Sequence, residues 1–203
     1  MAIKLYKGDL PSALDLGPAV AIDTEAMGLN PRRDKLCLVQ LSSGDGNAHL
    51  VQLDRTSYEA PRLKALLTNA DVLKIFHYAR FDVATMKHHL GVDTRPLYCT
   101  KIASKLTRTY SDRHGLKDLV KELLGIEINK QQQSSDWGVH VLSDAQKQYA
   151  AQDVLYLHEI KARLDQMLDR ESRQGFARSC FDFVSVRADL DLAGWTEEDV
   201  FAH

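Results

Sequence analysis

Three apolar runs follow one another between residues 19 and 53: AVAIDTEAM, KLCLVQLSS and AHLVQL. They are separated by GLNPRRD and SGDGN, rich in residues that turn a chain, so the pattern predicts a meander of three strands. After it the pattern alternates. APRLKALLTNA sets Leu63, Leu66 and Leu67 at helical spacing, and VLKIFHYA reads as a fourth strand. RFDVATMKHHLG reads as a helix stopped by Gly91, and PLYCT as a short fifth strand. From Lys101 onward the pattern is almost wholly helical. HGLKDLVKELLG forms one helix, a long helix runs from Ser143 to about Gly175, and FARSCFDFVSVRADL forms the last. SDAQ fits a capping box, with Ser143 as N-cap and Gln146 three residues on. QQQSSDWG reads as a polar loop. Strands first, then strands alternating with helices, predict an α/β domain with a mixed sheet.

The first run carries an anomaly. Asp23 and Glu25 are two residues apart in a strand, so they project from one face, about 6–7 Å apart along it. Like charges that close repel and are costly to desolvate unless a metal ion, a basic residue or a shared proton lies between them. Asp82 opens an apolar helix just after the fourth strand. Tyr149 and Asp153 lie four apart on one face of the long helix. Each acid alone has a bland reading: a common strand pattern, a carboxylate favouring a helix dipole, a tyrosine–aspartate hydrogen bond. As a set they differ, because all four occupy positions that should face inward. Four converging carboxylates need cations, and oxygen-only ligands select hard ions such as Mg²⁺ or Mn²⁺. Two such ions about 4 Å apart suit in-line attack on a phosphodiester.

The order D-x-E, then D, then Y-x-x-x-D resembles the DEDD exonuclease superfamily. Tyr149 matches its tyrosine subclass; the histidine subclass carries His five residues before the last acid, where this chain has Gln148. DKLCLVQLS, KIFHYARFD and SDWGVHVLSDAQKQYAAQDVLYL resemble the ribonuclease D family, over roughly residues 15–170. The resemblance implies a ribonuclease H-like α/β fold with a five-stranded mixed sheet flanked by helices. It also implies a catalytic set of Asp23, Glu25, Asp82, Tyr149 and Asp153, with two divalent ions, Mg²⁺ or Mn²⁺. Asp23, Glu25 and Asp153 would bind one ion, Asp23 would bridge to the second, and Asp82 would hold the second through water. Tyr149 would orient the attacking water. The implied activity is 3′→5′ exoribonuclease trimming of single-stranded 3′ ends, releasing nucleoside monophosphates. A 3′→5′ DNA exonuclease and an inactive nucleic-acid-binding module are the alternatives. Two positions depart from the family pattern: Tyr78 stands where many members carry Asn, and His140–Val141 where the family often reads Arg-Pro.

Composition sets the remaining expectations. At 203 residues, 44% hydrophobic and 27% charged, the chain reads as one soluble domain spanning 1–203 with a helical C-terminal end and no further helical domain. The N-terminus lacks a leader-like apolar core, and no run approaches membrane-spanning length, so a cytoplasmic protein is expected. Cys37, Cys99 and Cys180 are widely spaced and read as reduced core thiols. The formal charge of −2 excludes a bulk basic binder. Locally, however, Lys101, Lys105, Arg108, Arg113, Lys117 and Lys121 face only Asp112 and Asp118, a net +4 between residues 101 and 121. That stretch is either a solvated helical face or a phosphate-tracking groove. His77, Tyr78, Trp137 and His140 complete the candidate nucleic-acid contacts. Trp137 could stack on a base or anchor its own loop.

Overall fold

The computed structural model describes residues 2–129, 131–132 and 134–203; Gln133, within the expected polar loop, lies outside the described residues. The meander forms as its turns predict, but it is preceded by another strand. That strand is β1 (Ile3–Lys7); the meander follows as β2 (Ala19–Ala26), β3 (Leu36–Ser42) and β4 (Ala48–Gln52). After α1 (Pro61–Thr68) come β5 (Leu73–Phe76), α2 (Ala79–Leu90), β6 (Leu97–Cys99), α3 (Thr100–Thr107) and α4 (Leu116–Leu124). The described strands form one mixed sheet of six, in the order β1-β4-β3-β2-β5-β6. The expected count was five. The sixth, IKLYK, is half-buried and pairs in parallel with β4, from Ile3 opposite Ala48 to Lys7 opposite Gln52. A parallel partner more than forty residues away leaves no hairpin signal. Its two lysines suit an edge.

The long helix is two helices. α5 (Asp144–Leu155) and α6 (Leu157–Arg170) meet at Tyr156, and α7 (Gln174–Ala193) follows. The two halves serve different surfaces. α5 packs on β2, β3 and β4, while α6 packs on α3, α4 and β5. α6 buries Leu157, Ile160, Leu164 and Leu168, a regular stripe. The start of α5 is fixed by the expected box: the Gln146 N–H donates to Ser143 Oγ, and the Ser143 N–H donates to Gln146 Oε1.

Every residue of β3 is buried, as a strand covered on both faces must be. The main core runs from Leu10 to Ala188. A smaller cluster joins Cys37, Leu38 and Leu50 to Trp137, Leu142, Tyr149 and Ala150. Cys180 departs from the expectation of core thiols: it is exposed on α7, whereas Cys37 and Cys99 are buried. Among the described residues no helix is long and apolar enough to cross a membrane.

The uneven pairing of β2 positions the acidic residues. β2 pairs with β3 along most of its length, Ala21 through Ala26, but its parallel ladder with β5 covers only Ala19–Ala21. Beyond Ala21 the β5 side of β2 is open, and α2 begins there. The carboxyl end of a strand beside such an opening is a usual place for a ligand crevice.

Candidate active site

Asp23 and Glu25 leave β2 on one face, and Asp153 approaches from α5, which lies across that face. One carboxylate oxygen from each lies within 4.8 Å of the others. Thr24, between the two acids, points the opposite way and donates its hydroxyl to Asp82 Oδ1 at 2.6 Å. Asp82 is only 3% exposed and sits in the first turn of α2. Gln40, the cross-strand partner of Asp23, donates from Nε2 to Asp23 Oδ2 at 3.3 Å.

The electrostatics follow from that crowding. Burial, then Asp82, Asp153 and Glu25, push Asp23 well above the usual carboxylate range. Burial, then Asp153 and Asp82, push Glu25 up to about 9. Burial pushes Asp82 up to about 7, although the Thr24 hydroxyl acts the other way. The charged neighbours that act most on Asp23 are all carboxylates. An oxygen-only donor set with unbalanced negative charge fits hard divalent cations. Tyr149 stands one turn before Asp153. Its hydroxyl is raised by burial and then by Asp153, Glu25 and Asp23.

Asp23, Thr24, Glu25, Tyr149 and Asp153 open into a groove of about 590 Å³ lined also by Met27, Leu29, Phe81, Leu116 and Trp137, whereas Asp82 lies behind Thr24 and does not line it. Of the expected nucleic-acid contacts, His77, Tyr78, Lys101 and Trp137 line it. His77 Nδ1 and Thr100 Oγ1 are 2.9 Å apart. Tyr78 caps α2 in the left-handed region, φ 68° and ψ 44°. Asn is enriched in that conformation and a bulky residue is strained there. That accounts physically for the asparagine of the family pattern. In this chain the Tyr78 ring instead lies under Lys101, whose Nζ is 4.1 Å from its centroid.

The rest of the basic stretch behaves differently. Arg108 is a correction: it is fully buried, its guanidinium bound to Glu122, Ser104 Oγ and the Arg113 carbonyl, so it presents nothing to a strand. Lys121 pairs with Glu127 at 2.7 Å. Glu122 and Glu127 lie just past the window read from the sequence, and including them halves its net charge to +2. Arg113 and Lys117 are exposed but do not line the groove. His140 lines a separate cleft with Arg33 and Arg55.

Thr24 and Gln40 were missed by sequence reasoning. Gln40 had a readable signal, an amide inside the otherwise apolar LCLVQL. Thr24 had none, because its partner Asp82 is 58 residues away.

Fold and acidic centre together match one class of domain, the 3′-5′ exonuclease domain. The profile of the 3′-5′ exonuclease family matches residues 8–169, and the chain belongs to that family, within the DEDD superfamily. Along its whole length it is similar to Brucella melitensis NrnC with bound Mg²⁺, at 52% identity and a TM-score of 0.96, covering 100% of both chains. It is equally similar to that protein bound to pGG, at 53% identity and a TM-score of 0.97, covering 100% of this chain and 99% of the other. Ribonuclease D of Gluconacetobacter diazotrophicus is 34% identical over 162 residues, 80% of this chain and 41% of the relative. The chain thus spans about two fifths of the length of the curated relative it matches. Escherichia coli RNase D superposes at 26% identity and a TM-score of 0.74, over 84% of this chain and 45% of the other.

Proposed function

We propose that this exonuclease is a metal-dependent 3′→5′ exoribonuclease acting on short single-stranded 3′ ends, with Asp23, Glu25, Asp82, Tyr149 and Asp153 as its catalytic set. The observation that carries the reading is the convergence of the Asp23, Glu25 and Asp153 oxygens within 4.8 Å, in the groove that also holds Tyr149. Asp23, Glu25 and Asp153 would hold one divalent ion, Mg²⁺ or Mn²⁺. Asp23, with Asp82 acting through water, would hold a second. Such ions supply Lewis-acid stabilisation to the attacking and leaving oxygens.

The chain's own residues do the rest. The groove seats the terminal nucleotide with Phe81 and Trp137 among its walls. The Tyr149 hydroxyl, which can donate or accept without adding charge, orients the attacking water. Water adds in line to the phosphorus, the P–O3′ bond breaks, and the strand keeps a new 3′-hydroxyl while a nucleoside 5′-monophosphate leaves. A short substrate is supported by the similarity to NrnC, a protein solved bound to pGG. Thr24 and Gln40 hold Asp82 and Asp23 by hydrogen bonds and keep these acids oriented.

The test is hydrolysis of short 5′-labelled RNA and DNA of one sequence with Mg²⁺. Stepwise shortening from the 3′ end, faster on RNA, is expected. Faster cleavage of DNA would make this a DNA exonuclease. Binding without cleavage, with Mg²⁺ or Mn²⁺, would make it a binding module.

A further inference from the structure

A loop without regular structure must still satisfy its carbonyls. The loop of residues 134–140 gives them to side chains from four other segments. Gln146 Nε2, on α5, donates to the Asp136 carbonyl at 2.9 Å. Gln52 Nε2, at the end of β4, donates to Val139 at 2.7 Å. Lys7 Nζ, on β1, donates to His140 at 2.7 Å. Arg55 Nη2, from the segment after β4, donates to Gly138 at 2.7 Å.

Arg55 differs from the other three because it reaches both walls of the catalytic groove. Its Nη1 lies 3.4 Å from Met27 Sδ. Met27 belongs to the wall at the exit of β2, and Trp137, beside Gly138, belongs to the wall made by the loop. Gly138 permits the approach: a Cβ there would fall 2.9 Å from Arg55 Nη1 and 3.2 Å from Met27 Cε.

Trp137 is 3% exposed, and its ring lies 6.0 Å from that of Tyr149, tilted by 39°. Among the described residues its buried indole N–H has no acceptor. A buried donor without an acceptor costs free energy, so the indole is not held there by its own hydrogen bonding. Its ring packing and the carbonyls on either side of it hold it.

We infer that Arg55 is a positioning residue for hydrolysis: by tying Gly138 to Met27 it fixes Trp137 against Tyr149, and with it the place of the Tyr149 hydroxyl beside Asp153. Arg55 touches none of the acids and acts through Trp137. The inference rests on the role proposed above for Tyr149, and two independent signals separate the two claims. One is kinetic. Arg55→Ala should lower kcat on a short RNA roughly 10- to 100-fold, the scale of a small misplacement of a reacting group. KM should change by less than about threefold, and Mn²⁺ affinity measured by calorimetry should hold.

The other signal is spectroscopic. The chain has two tryptophans, so a Trp195→Phe background leaves Trp137 as the sole reporter. In that background Arg55→Ala should shift its emission to the red and raise its quenching by acrylamide. Arg55→Lys keeps the charge but reaches one partner at a time, and should recover part of both signals. An unchanged Trp137 signal overturns the tie. A changed signal with unchanged kcat overturns the link to Tyr149. A rise in KM alone makes Arg55 a substrate contact instead. A wild-type chain that hydrolyses nothing contradicts the proposed function, while the fluorescence arm still judges the tie.

Discussion

The cost of the site falls on single residues. Asp23 is half-buried among three other carboxylates, each of which raises its pKa. Asp23→Asn should cut turnover at least about a hundredfold with Mg²⁺ or Mn²⁺, while the metal-free variant melts higher than the parent because repulsion falls. Enzyme assays and melting curves side by side check both halves. The pH dependence has a definite sign. Unfolded carboxylates titrate near about 4. In the folded metal-free chain Asp82 titrates at about 7 and Glu25 at about 9. The folded state therefore binds these protons more tightly, so their contribution to stability is full below about pH 4 and is lost as pH rises through the folded values. Melting in EDTA should show this decline between about pH 4 and about pH 9, and Mg²⁺ should reverse it most at the upper end, where protons no longer compete. Tyr149→Phe should lose about 10²–10⁴ in rate and retain metal, as measured by single-turnover hydrolysis and calorimetry.

Elements decide where those residues meet. α2 starts at Tyr78 in a left-handed conformation, φ 68°. Tyr78→Asn should relieve about 1 kcal/mol of backbone strain, read as a higher melting temperature, at the loss of the ring beneath Lys101. Ser143→Ala removes half of the capping box of α5 and should cost about 1 kcal/mol by urea unfolding. The capping box was legible in four letters, SDAQ, because its physics is local. The three-strand meander was legible for the same reason: its turns and apolar runs are neighbours. The sixth strand was not, since IKLYK buries none of its residues fully and its partner is over forty positions away. Nor was the break at Tyr156, because α5 and α6 both keep helical periodicity and only their docking surfaces differ. At the site, the spacing of Asp23, Glu25, Tyr149 and Asp153 was readable from strand and helix periods. Arg108 was misread because charge in a sequence carries no depth; its partner Glu122 lies fourteen residues on.

The molecule as a whole is weakly acidic, and its grip on a polyanion must come from few residues. Lys101 is the basic side chain of the 101–121 stretch that lines the acidic groove. Lys101→Glu should weaken RNA binding and flatten its salt dependence by about one unit of slope; titrations over a salt series measure this. With Arg108 buried and Lys121 paired to Glu127, trimming should be distributive, with intermediates of every length released. The central claim is that four acids and a tyrosine remove nucleotides from a free 3′ end. It is tested most directly by giving wild type and Asp153→Asn a short 5′-labelled RNA with Mg²⁺, in parallel with a 3′-phosphorylated copy and a circular strand. The account predicts a descending one-nucleotide ladder from the free 3′ end alone, present for wild type and absent for a folded Asp153→Asn. Cutting of the circle at a comparable rate, or a ladder that survives Asp153→Asn, would contradict it.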